Sequence, residues 1–190
     1  MLTKSKHVLL QLQQIQQRHD EAAHRDILSF DLYKKLKHMV LHFYKYAGRI
    51  EQAKDTRDID VLSATLIDTF IICMASANAL NISLDTAIGK NANTLKALTQ
   101  LLSSESNFTN PFDASVHELL VIGGKMAKVI ESSDHMERGD PRQQMELLIP
   151  KLTTSILACL GALPIDVEKS VLSRLAAVET KSIFKNLELA

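Results

Sequence analysis

Apolar side chains recur along this chain with the 3.6-residue period of helices that bury one face. Residues 3–22 place Val8, Leu9, Leu12 and Ile15 on one side, with glutamines over much of the rest. Residues 31–53 carry the cleanest stripe: Leu32, Leu36, Met39, Val40, Phe43, Ala47 and Ile50. Residues 59–80 are apolar round much of their girth, which predicts a central helix. Further helices are predicted over 84–102, 113–131, 142–162 and 167–187. Pro150 lies inside the 142–162 run, where it either kinks the helix or marks its true first turn. The polar stretch SSESNFTNP (103–111) is the clearest break, and SSDHMERGDP (132–141) is a second loop. The expected fold is therefore all-α, a bundle of about seven helices.

The two halves repeat one another weakly. NALNISLDTAI (78–88) pairs with GALPIDVEKSV (161–171), so that Ser83 matches Asp166 as a helix N-cap followed by an acid, Asp85 or Glu168. YAGRI (46–50) matches GGKM (123–126), glycine on glycine. Residues 1–102 are read as an N-terminal helical arm with a first helical hairpin, and 111–190 as a second hairpin sharing the same core.

Composition narrows the picture. Six glycines and four prolines in 190 residues leave too few turns for a β-sandwich, and with aromatics at 5% the core must be largely aliphatic. Twenty-two basic and twenty-two acidic residues cancel, so a nucleic acid or a membrane would need a local patch. Cys73 and Cys159 fall within apolar runs and read as buried reduced thiols. No signal peptide is visible and no apolar stretch is expected to reach the ~20 residues of a bilayer span, which makes the cytoplasm the expected location.

LSATLIDTFIICMASANALNISLDTAI (62–88), with YAGRI before it, resembles the second half of MazG-type all-α nucleoside triphosphate pyrophosphohydrolases. The resemblance implies two MazG-like hairpins in one chain. In that family, acidic side chains on two facing helices hold Mg²⁺ for cleavage between the α and β phosphates. Here the first helix has Lys45, Tyr46 and Arg49 where the family has glutamates, and the second has Thr65 and Asp68. Asp68 alone survives as a metal-ligand candidate. The second copy offers Val121, Ile122, Lys125, Leu148 and Lys151, none of them acidic. The resemblance therefore implies a degenerate metal site and a non-catalytic binding, regulatory or assembly component, with no cofactor. An active hydrolase with a divergent acid set would use Mg²⁺. A purely structural helical protein is a third possibility. A nucleotide or acidic partner is expected, and a protein partner or homo-oligomer is plausible; a membrane is not.

Two further groupings carry chemistry. Lys34, His38, His42, Lys45 and Arg49 fall within about 80° of arc, opposite the apolar stripe of their helix. They form either a solvated face or a contact for phosphate, nucleic acid or an acidic partner. His38 and His42 have the i, i+4 spacing of helical metal ligands, with Asp68 the nameable third ligand. Gly123-Gly124 lacks the context of a phosphate loop and reads as close helix packing. The glutamine-rich first helix either packs on the bundle or serves as an interaction arm.

Overall fold

A computed structural model describes residues 7–180. The first residues of the helix predicted over 3–22 and the last of that predicted over 167–187 lie outside this range. The described residues form nine helices and no strands: α1 (Val8–Ala23), α2 (Arg25–Leu28), α3 (Leu32–Thr56), α4 (Ile59–Ala79), α5 (Leu84–Ile88), α6 (Leu95–Ser104), α7 (Pro111–Asp134), α8 (Pro141–Gly161) and α9 (Val167–Glu179). The all-α class holds, and the helix number of about seven is corrected to nine.

The single helix expected over 84–102 is two. Gly89 takes a left-handed φ of 66° and ends α5, and Thr94 caps α6 by accepting the Ala97 N–H at 3.1 Å. A glycine past a helix end is the residue that adopts this conformation without steric cost. The other starts follow the same chemistry. Asp31, Asp58, Ser83, Asn110, Asp140 and Asp166 each accept a backbone N–H in the first turn of the helix they open. Ser83 and Asp166 are thus the caps their sequence context predicts. Pro141 occupies the first turn of α8, so Pro150 lies buried in the helix interior.

α3, α4, α7 and α8 make the centre, with α3 packed on α4 and α7, and α8 on α4 and α7. One continuous cluster of buried side chains draws on both halves of the chain, from Val8 to Leu175. It is mostly aliphatic, with Phe43, Phe70 and Phe112 at intervals. Cys73 and Cys159 are both free thiols within it. Burial pushes each thiol up to about 12, so neither presents a thiolate near neutrality.

The expectation that no apolar stretch reaches spanning length needs correction. α4 has 21 residues and an 18-residue window of mean hydropathy 1.7, enough by length and composition to cross a bilayer. In this fold 61% of that window is buried in the bundle. Apolar girth is what a central bundle helix requires, so the same sequence passes both tests.

The glutamines of α1 do not all face outward. Gln13 and Gln16 are buried against α4. Gln13 donates to Asn78 Oδ1 at 2.9 Å and to the Ile82 carbonyl at 2.8 Å, and accepts the Leu84 N–H at 2.9 Å. Asn78 in turn donates to Gln16 Oε1 at 2.7 Å and to the Gln13 carbonyl at 2.9 Å. A buried amide network satisfied at both ends ties α1 to the bundle and fixes its register.

Gly123 and Gly124 lie inside α7, where a Cβ on Gly123 would make ordinary contact with Phe43 and Tyr44 at 3.9 Å. The glycine that packing demands is Gly161. A Cβ there would stand 2.1 Å from the Thr99 carbonyl oxygen of α6.

Candidate functional site

The polar stripe of α3 is not simply solvated. α1 and α9 pack against α4 beside it, and together these helices wall a cavity of about 410 Å³. His38, His42, Lys45 and Arg49 line it, facing His19, Asp20 and His24 from the end of α1, Asp68 from α4 and Arg174 from α9. A second recess of about 310 Å³ shares Arg49, Asp68 and Arg174. Lys34, the fifth member of the stripe, is exposed and does not line the cavity; its ammonium lies 4.6 Å from the Phe30 ring centroid. Four of the five stripe residues are thus brought together, and one is not.

Asp68 does not face a set of acids. Arg174 donates to it from Nε at 2.6 Å and from Nη2 at 3.1 Å, engaging both carboxylate oxygens in a forked pair. That pair holds the arginine charge firmly, and its guanidinium is raised above the ordinary value by the hydrogen bond to Asp68. Partial burial lowers the Lys45 ammonium, Asp68 opposes that shift, and Arg49 and Arg174 add to it. Three cations, Lys45, Arg49 and Arg174, therefore surround one carboxylate. The acids at the junction of α3 and α4, Glu51, Asp55, Asp58 and Asp60, are exposed, and Asp58 is spent capping α4. No three acids converge among the described residues.

The histidines form a relay of hydrogen bonds. The Lys45 ammonium stands 2.9 Å from His42 Nδ1 and has only donors, so Nδ1 accepts. His42 then carries its proton on Nε2, which donates to His38 Nε2 at 3.1 Å. The His42 imidazole is pushed down to about 4, first by burial and then by Lys45 and His38. The Tyr46 hydroxyl lies 3.2 Å from the same Nδ1, and burial holds the phenol well above its ordinary value. His38 and His42 therefore share a hydrogen bond, and their expected metal partner Asp68 is committed to Arg174. A neutral His42 adds no charge and has given its one N–H to His38, so an anion in the cavity would meet Lys45, Arg49 and Arg174.

Sequence reasoning missed Arg174, His19, Asp20 and His24. Arg174 sits 106 residues from Asp68, on a helix whose polar face shows no pattern that names a partner. The doublet His19-Asp20 followed by His24 was visible in the sequence, within the stretch read for its glutamines.

A larger cavity, of about 830 Å³, lies among α6, α8 and α9. Its charged residues, Lys96, Asp166, Glu168 and Lys169, are of both signs, and Asp166 caps α9. It offers volume without converging chemistry.

No family model matches this chain, and neither does any curated protein or solved structure.

Proposed function

We propose that this protein is a MazG-like helical chain that has lost the metal-dependent hydrolysis of that family and binds a phosphate-bearing anion, such as a nucleotide, in the cavity between α1, α3, α4 and α9. The two MazG-like hairpins of this reading are α3 with α4 and α7 with α8. The observation that carries it is the forked Arg174–Asp68 pair. The one acid left at a family metal position is neutralised from within, and Lys45 and Arg49 stand where acids would be needed. Mg²⁺ prefers several oxygen ligands and is repelled by such a wall, whereas a phosphate oxygen is attracted. The matched positions of α7 and α8 offer no second set of acids, so the loss covers both copies. A nucleotide bound without turnover makes the protein a regulatory or assembly component, alone or with a protein partner.

The test is incubation of the purified chain with Mg²⁺ and a panel of nucleoside triphosphates, with binding followed by calorimetry. Binding without pyrophosphate release is expected, and Lys45→Ala with Arg49→Ala should weaken it. Metal-dependent pyrophosphate release that disappears in Asp68→Ala would end the reading in favour of an active hydrolase. Absence of both binding and turnover would favour a purely structural helical protein.

A further inference from the structure

The end of α1 carries a second grouping, separate from the cations. One ligand atom each from His19, Asp20 and His24 lies within 4.8 Å of the other two. Sequence spacing alone does not produce this. In a continuous helix, residues five apart lie about 140° from one another around the axis. α1 ends at Ala23, and His24 takes a non-helical conformation (φ −130°, ψ 44°). That break returns its ring towards His19, with the two centroids 5.4 Å apart.

The surroundings are those of held ligands. His19 is buried, and its Nδ1 lies 3.1 Å from Glu179 Oε1. With Nδ1–H donating to that carboxylate, the lone pair is on Nε2, the arrangement in which an outer carboxylate orients a metal-binding imidazole. Asp20 Oδ2 accepts from Gln16 Nε2 at 2.6 Å, and burial raises its carboxyl above the ordinary value. Asp20 forms no ion pair with a lysine or arginine among the described residues. A half-buried carboxylate between two imidazoles, without a cationic side chain of its own, is a place for a dication.

We infer that His19, Asp20 and His24 bind a first-row transition-metal dication of the zinc class. Two nitrogens and one oxygen suit such an ion and not Mg²⁺, which takes oxygen. Bonds of roughly 2.0–2.2 Å require the three donors to close in on one point. His24, half-buried and outside regular helix, is the ligand that moves. Three protein ligands leave a fourth position, and it opens on the cavity that His38, Lys45 and Arg174 also line. The ion would be a nitrogen-rich addition on the wall of the cavity and not a replacement for family Mg²⁺. Its occupancy does not depend on whether a nucleotide binds.

The test uses the tag-free full chain, stripped with chelator and titrated with Zn²⁺ by calorimetry and with Co²⁺ by visible absorption. One ion per chain is expected, with a visible Co²⁺ band from a low-symmetry site. Asp20→Asn and His24→Ala should each weaken binding by at least about tenfold, and Glu179→Gln by about tenfold through His19. His38→Ala should leave it unchanged. Circular dichroism confirms that each variant is folded, and the isosteric Asp20→Asn keeps the test open if His24→Ala is not. No saturable binding, or binding that survives Asp20→Asn and His24→Ala, or binding lost in His38→Ala alone, would overturn the assignment. A failed nucleotide titration with intact metal binding would count against the anion reading only.

Discussion

The helix pairs α3/α4 and α7/α8 contribute to one core with nearly equal lengths, 25 and 21 residues against 24 and 21. Their outer faces have different fates. On the first pair, His42, Lys45, Arg49 and Asp68 line a cavity because α1 and α9 stand beside them. On the second, Lys125 and Lys151 are simply exposed, Ile122 is buried, and Ser155 donates to a single carboxylate, Glu118, at 3.0 Å. The recess on that side, about 710 Å³, includes His117, Glu118 and the buried thiol of Cys159. Chemistry in this bundle is therefore decided less by the hairpin than by what is laid against it. The same period of polar residues becomes a site where two further helices bring Arg174 and the histidines of α1, and a wet surface where they do not.

Substitutions can break this contrast or sharpen it. The largest effect is expected at the packed end of the second pair: Gly161→Ala forces a methyl group into the Thr99 backbone and should cost about 3 kcal/mol in denaturant titration. Full stability in that variant would mean that α6 and α8 can part without penalty. On the first pair, Asp68→Ala leaves three cations without their carboxylate. With the Arg174 side chain 47% exposed, the discounted cost is about 2 kcal/mol by thermal melting. The same variant should bind nucleoside triphosphate more tightly, the reverse of what loss of a metal ligand would do. Lys45→Ala with Arg49→Ala should weaken nucleotide binding by about tenfold with little change in melting temperature, since both side chains are exposed. Lys125→Ala with Lys151→Ala serves as the matched pair on α7 and α8 and should change neither quantity. Equal losses from the two double variants would show that the cavity adds nothing to loose surface charge.

The smallest effect concerns pH. Folded His42 stays neutral down to about 4, while the unfolded imidazole takes its proton near 6.5. Between these values the unfolded chain binds more protons, so stability present above pH 6.5 is lost as the pH falls towards 4. The groups acting on His42 are Lys45 and His38 from its own helix, Asp68 from α4, and His24. Because His42 is half-exposed, its share is discounted to about 1 kcal/mol. His42→Gln should flatten the melting profile over that window by this amount, and an unchanged profile would place the imidazole in water.

By itself the sequence determined the helices. Hydrophobic period named the long ones, and Ser83 and Asp166 stood out as caps because a short side-chain acceptor before a helix satisfies backbone donors locally. It also showed Lys45, Arg49 and Thr65 as non-acidic positions of α3 and α4, readable one residue at a time. It half-hid the division of 84–102, for which Gly89 and Thr94 were the available signals. Only the tertiary structure decided that four residues of the α3 stripe line a cavity, that Asp68 belongs to Arg174, and that Gln13 and Gln16 face inward onto Asn78. The reason is range. Caps and periodicity are settled within one turn of chain, whereas a charge pair 106 residues apart exists only once α9 has docked on α4.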